Sequence, residues 1–207
     1  MNKWTKITSA ILLTTASSAV AAQEESTAPN FDYVSLSYLS ADVDGDTASG
    51  FAASFNKSYS DNVFFAADYM TASDDFEDLR GDIAFRAEAE ISRFYGNVGY
   101  KFYNEGNTAA YVSGGLAWVE AVVKTNTFGD YGANEAGWNL QVGIRSRLTE
   151  AFEIDASVRH YDVDNLDDQE LNISGRYFVN SNFSLGVGYS LVNSEESHTF
   201  LTGAYHW

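Results

Sequence analysis

From Phe31 to the last residue, polar and apolar positions alternate with a period of two rather than 3.6. That is the repeat of a strand whose two faces meet different surroundings. The alternation resolves into ten segments, near 31–41, 49–59, 62–71, 91–103, 108–121, 136–148, 151–163, 170–180, 183–193 and 198–207. In the seventh, Phe152, Ile154, Ala156 and Val158 share one face, and Glu153, Asp155, Ser157 and Arg159 the other. In the sixth, Trp138, Leu140, Val142 and Ile144 alternate with Asn139, Gln141, Gly143 and Arg145. In the ninth, Phe183, Leu185, Val187, Tyr189 and Leu191 alternate with Ser184, Gly186, Gly188 and Ser190. Each segment is about as long as a tilted strand that crosses a bilayer, ~9–11 residues. Residues 83–92 have two readings, as an extension of the fourth segment or as loop. The connections alternate in length. Short ones fall at 60–61, 104–107, 149–150 and 180–182, and generally longer, acidic ones at 42–48, 72–90, 122–135, 164–169 and 194–197.

A soluble barrel or sandwich alternates too, with its apolar face inward. Two features favour the reverse arrangement. The polar face mixes Gly, Ser and Asn with charges of both signs, as a narrow lumen requires, and the N-terminus has the form of an export signal. Lys3 and Lys6 precede the short apolar run Ile7–Ala16, and Ala19-Val20-Ala21 supplies small residues for cleavage after Ala21, or after Ala22. The expected organisation is a cleaved signal at 1–21, a short flexible lead at 22–30 and a β-barrel at 31–207. No later stretch approaches 18 consecutive apolar residues, so a membrane crossing requires a closed barrel. The expected fold is all-β, a closed antiparallel up-and-down transmembrane barrel of ten strands. An even count follows from both termini lying at the short-turn, periplasmic end, and eight is the alternative count.

Charge and composition narrow the function classes. Without Lys3 and Lys6, 10 basic residues face 29 acidic ones, a formal charge of −19. Such a chain has no basic face for nucleic acid and no electrostatic attraction to anionic headgroups. It has no Cys, which excludes a lipoprotein and a disulfide scaffold, and its single proline, Pro29, precedes the first strand. Proline cannot donate to a ladder, so its absence from the strands fits a sheet without edges.

Several groups of residues carry candidate roles. A tight turn near 149–151 places Arg147 opposite Glu153, Arg145 opposite Asp155, and Gln141 opposite Arg159, at cross-strand distances of ~4.5–5.5 Å. With Asp68, Lys101 and Arg176 these form an expected lumenal charge ladder, read either as structural filling or as a selectivity lining. Trp118 and Trp138 are expected in an outer aromatic belt, joined by Tyr38, Tyr69 and Tyr189. Tyr59, Tyr100, Phe102, Phe152, Phe183 and Trp207 are expected near the periplasmic rim. Acidic outer loops hold Asp42, Asp44 and Asp46, then Asp74, Asp75, Glu77, Asp78 and Asp82, then Asp164, Asp167, Asp168 and Glu170. Asp42–Asp46 lacks the twelve-residue frame of a calcium loop, and no metal site or cofactor is expected. No nucleophile-with-base pattern is present. His160 near Asp162 resembles the Asp–His pairs of the omptin proteases, but by parity both point toward lipid or rim, so no enzyme is expected.

The strands Gly96-Asn97-Val98-Gly99-Tyr100-Lys101-Phe102 and Leu185-Gly186-Val187-Gly188-Tyr189, with the terminal Phe200–Trp207, resemble those of the small Gram-negative outer-membrane β-barrel superfamily. Its members include the OmpX-like and OmpA-barrel-like proteins. The likeness is one of pattern, over nearly all of the chain after the signal. It implies that Leu201, Gly203, Tyr205 and Trp207 form the terminal assembly signal read by the barrel-assembly machinery. It also implies periplasmic chaperones during biogenesis and a setting of outer-membrane lipid and lipopolysaccharide. Members include adhesins, narrow pores and lipid enzymes, so the fold does not choose an activity. The expected role is structural or in surface interaction, with a narrow or plugged lumen. The alternatives are a narrow channel for small solutes and an omptin-like enzyme.

Overall fold

The computed structural model describes residues 28–43, 46–80, 83–125, 130–164, 166–193 and 196–207. The expected signal, and most of the lead, lie outside these residues. Ten strands follow in chain order: β1 Tyr33–Val43, β2 Asp46–Ser58, β3 Val63–Arg80, β4 Ile83–Glu105, β5 Thr108–Thr125, β6 Tyr131–Thr149, β7 Phe152–Val163, β8 Leu166–Phe178, β9 Phe183–Leu191 and β10 Glu196–His206. Each is antiparallel to its chain neighbours, and β1 pairs with β10 from Tyr33 opposite His206 to Val43 opposite Glu196. The sheet therefore closes as a ten-stranded barrel with no unpaired edge left to face hydrocarbon.

The alternation decides which side of the wall is which. Leu140, Val142, Ile154 and Val187 are 50%, 52%, 39% and 62% exposed, whereas Arg145, Ser157 and Ser190 on the opposite parity are buried. The apolar rows thus face outward and the polar rows line the interior. On β6 the outward row runs from Trp138 to Leu148. Those eleven residues at ~3.3 Å each, on a strand tilted by ~40°, rise about 25 Å, which is the height of the apolar band of such barrels. Above it the outward row turns polar, with Thr71, Ser92 and Glu120 in register on β3, β4 and β5 and Glu90 two residues from Ser92 on β4.

Strands β3 to β6 are longer than the apolar alternation predicts. Residues 72–80 and 83–90 continue the β3–β4 ladder, and 122–125 and 131–135 extend β5 and β6. Above the apolar band the backbone ladder persists without an outward apolar row to mark it. Cross-strand ion pairs support it instead: Lys124 lies 2.9 Å from Glu90 and 3.6 Å from Glu88. At the other end the connections are short. Residues 106–107 join β4 to β5, with Gly106 at φ 58°, a left-handed conformation open to glycine without steric cost.

Candidate functional site

The lumen holds the charged side chains of the expected ladder, and the register of β6 on β7 follows from the turn at 150–151. Arg147 faces Glu153, Arg145 faces Asp155 and Gln141 faces Arg159. Arg145 Nε donates to Asp155 Oδ2 at 2.7 Å, and Arg159 Nη2 donates to Asp68 Oδ2 at 2.7 Å and to Gln141 Oε1 at 3.0 Å. Arg176 lies 3.5 Å from Glu153, with its guanidinium 4.5 Å from the Tyr33 ring centre. Lys101 sits over Phe31 at 4.9 Å. Charges enclosed in this way are stable only as a mutually satisfied network.

One expected partnership differs. Arg147 turns away from Glu153, donates to the carbonyl of Glu150 at 2.6 Å, and stacks 3.7 Å from the Phe178 ring centre. The register shifts between Arg147 and Thr149, which brings the turn carbonyl within reach. Glu153 already has Arg176 at 3.5 Å and Arg145 at 4.0 Å, and its other oxygen accepts the backbone N–H of Asn30 at 3.0 Å. Glu170, expected in an acidic outer loop, is a second difference. β8 begins at Leu166, so parity turns Glu170 inward, 3.8 Å from Arg159.

The mouth at the short-turn end is closed by residues that precede β1. The Asn30 backbone is gripped from both sides: its N–H donates to Glu153, and its carbonyl accepts from Arg145 Nη1 at 2.7 Å. Phe31 packs edge-on or tilted against Phe64 and Tyr111, with Arg145 4.2 Å from its ring centre. The alternation merges Phe31 into the first strand, so this plug is not separable in the sequence.

A second closure lies toward the long-strand end. Tyr95, Ala117, Tyr161, Val163 and Val192 form a buried cluster. Arg159 lies 4.1 Å from the Tyr95 ring centre and Arg93 lies 5.9 Å from that of Tyr161. Arg93 Nη2 is 2.7 Å from Glu196, which also contacts His198 Nε2 at 2.9 Å. Arg93 and Tyr95 sit at lumenal parity, the signal that would have placed them here.

Between the closures is a chamber of about 220 Å³. Below the plug an open vestibule of about 590 Å³ lies at the short-turn end. Phe31 lines both spaces.

The remaining candidates lie on the outer wall. Trp138 is exposed beside Leu116, and Trp118 is next to Phe94 in register. Tyr59, Tyr100, Phe102, Phe152 and Phe183 are exposed toward the short-turn end. Leu201, Gly203 and Tyr205 face Tyr38, Leu36 and Val34 across the closing seam, and Trp207 stacks on Phe55 with ring centres 6.0 Å apart. His160 packs against Trp138 at 5.2 Å and lies 3.5 Å from Asp167, on the outward row shared with Asp162, away from the lumen. His206, at the base of the lumen, is paired with Ser184 at 2.8 Å and lies against Phe178. Asp44 and Asp82 lie outside the described residues, as do the side chains of Asp75, Glu77 and Asp78.

The family model described as "Outer membrane protein beta-barrel domain" matches residues 8–190. No curated protein matches the chain. Among solved structures, Ail, the attachment invasion locus protein of Yersinia pestis, in complex with the heparin analogue sucrose octasulfate, is 12% identical with a TM-score of 0.44, over 84% of this chain and 94% of that one. The outer membrane protein OprG from Pseudomonas aeruginosa is 10% identical with a TM-score of 0.46, over 89% and 99%. The KdgM porin in complex with disordered oligogalacturonate is 12% identical with a TM-score of 0.40, over 84% and 99%.

Proposed function

The chain belongs to the outer membrane protein beta-barrel domain family, and on that premise we propose that it acts as a closed barrel of the bacterial outer membrane, in a structural or surface-interaction role. The observation that carries this reading is the double closure of the lumen. Phe31, Phe64 and Tyr111 fill it below, and Tyr95, Tyr161, Val163 and Val192 fill it above. An ion crossing it would have to displace rings packed on paired arginines. The surface for interaction is the part of β3 to β6 that rises above the aromatic belt, where Glu88, Glu90 and Glu120 share the outward row. In this reading residues 1–21 are the export signal removed in the periplasm. Leu201 to Trp207 guide insertion by the assembly machinery, and lipopolysaccharide surrounds the upper wall.

Planar-bilayer recording of the refolded protein tests the proposal. The expected trace is silent, and stable, reproducible current steps would overturn it. One observation favours the second reading, a narrow channel for small solutes. The lower closure is made by a segment outside the strands, held by two backbone hydrogen bonds at Asn30. If Phe31→Ala conducts and the native protein conducts under the same conditions, the channel reading replaces the closed one.

A further inference from the structure

The outer end of the chamber is rich in hydrogen-bond donors without acceptors. Arg93 Nε and Nη1, Arg159 Nε and the hydroxyls of Tyr95 and Tyr161 are buried with no hydrogen-bond partner. They form one contiguous group, since the Tyr95 and Tyr161 ring centres are 5.9 Å apart and each ring carries one of the guanidinium groups. Buried groups of this kind are seldom left unpaired. Arg93, Tyr95 and Arg159 all line the chamber, so an occupant there lies against these three side chains.

Charge decides what kind of occupant fits. Arg93 is already neutralised by Glu196 at 2.7 Å, and Arg159 by Asp68 at 2.7 Å and Glu170 at 3.8 Å. The group lacks acceptor atoms, not negative charge, and an anion placed there would meet three carboxylates. A hydroxyl donates to a carboxylate and accepts from a guanidinium or a phenol at once. The facing wall is built for the same partner, with Ser35, Ser37, Ser190 and Asn172 along it. We propose that the chamber binds a small neutral polyol, a sugar or sugar-like alcohol, at the Arg93–Tyr95–Arg159 end. Entry runs from the periplasmic side past Phe31, the ring that lines both the chamber and the open vestibule below it.

The test uses the full refolded barrel in a detergent without a sugar headgroup. Glucose, myo-inositol and glycerol are titrated in turn by saturation-transfer NMR, with inorganic phosphate as the anionic control. At least one polyol is expected to saturate, with phosphate not competing. Tyr95→Phe, which removes one neutral hydrogen bond, should weaken binding about fivefold. Phe31→Ala should speed exchange. Absence of saturable binding of all three polyols to both the native protein and Phe31→Ala would leave water as the occupant and overturn the proposal. Preferential phosphate binding would overturn the neutral class, and indifference to Tyr95→Phe would overturn the location. The inference rests on the closed-barrel reading. Current steps through the native protein would end that reading, whereas a silent barrel that binds no polyol ends this inference alone.

Discussion

Glu153 accepts the backbone N–H of Asn30 at 3.0 Å, which ties the wall of the barrel to the segment that plugs its mouth. Glu153 is only 1% exposed and also faces Arg145 and Arg176. Glu153→Gln removes the charge and leaves two guanidinium groups less well compensated. The expected loss is about 2–3 kcal/mol, the range for a hydrogen-bonded buried charge. The lead should come free as well. Urea unfolding in micelles measures the first effect, and limited proteolysis near residue 30 the second. An unchanged cleavage rate would show that Glu153 does not hold the plug.

Arg145 and Arg147 lie two residues apart on the same lumenal row, yet they are expected to differ sharply. Arg145 donates to Asp155 and to the Asn30 carbonyl and stacks on Phe31. Arg145→Ala leaves Asp155 with the Tyr111 hydroxyl at 3.3 Å and no guanidinium, and should cost ~3–5 kcal/mol, as when one partner of a buried pair is removed. Arg147 donates to an exposed turn carbonyl, so Arg147→Ala should cost about 1 kcal/mol. Comparison of the two unfolding midpoints checks this. Equal shifts would mean that Arg147 does pair with Glu153 in the membrane.

The parity of β6 and β7 and the pairing of Arg147 with Glu153 in register were legible because a short turn fixes register and one face is greasy throughout. The partner of Arg147 was not, because Arg145, Arg176 and the Asn30 amide compete for Glu153, and that competition depends on strands distant in sequence. Phe31 read as strand because an aromatic next to an alternating run continues the pattern whether it faces a wall or fills a hole. The tops of β3 to β6 were hidden for a different reason. Residues 72–80, 122–125 and 131–135 fell within acidic connections, and 83–92 read either as strand or as loop, since no outward apolar row marks a ladder above the band. Glu170 was misplaced by the same boundary error at the start of β8.

Position along the outward row should set the tolerance for charge. Val142 lies midway between Trp138 and Leu148 and faces Val112 and Val158 on its neighbours. Val142→Arg should destabilise the barrel by ~2–4 kcal/mol in lipid vesicles, while Leu148→Arg at the rim should cost ~0–1 kcal/mol. Reversible unfolding from vesicles measures both. Small, equal effects would remove the lipid from this face.

The polar hairpin above the band should respond to pH through one exposed triad. Lys124 donates to Glu90 at 2.9 Å, and that hydrogen bond is the main cause that holds the Glu90 carboxyl below its usual 4.5 and lifts the Lys124 ammonium above its usual 10.5. Burial opposes both shifts, as the second-largest influence on Glu90 and a lesser one on Lys124. A carboxyl with a depressed folded value supports the fold above its unfolded value and ceases to as pH falls through the folded one. An ammonium with a raised value supports it below its unfolded value and ceases to as pH rises through the folded one. The hairpin should therefore be tightest between the ordinary carboxylate and ammonium ranges and loosen first on acidification below 4.5. Amide exchange at residues 87–91 and 121–125, compared with Lys124→Met at each pH, isolates the effect from intrinsic exchange chemistry. The difference between the two proteins should shrink as the solution turns acidic and also as salt is raised, since exposed pairs are screened. A difference that persists in acid would assign the protection to the backbone ladder alone.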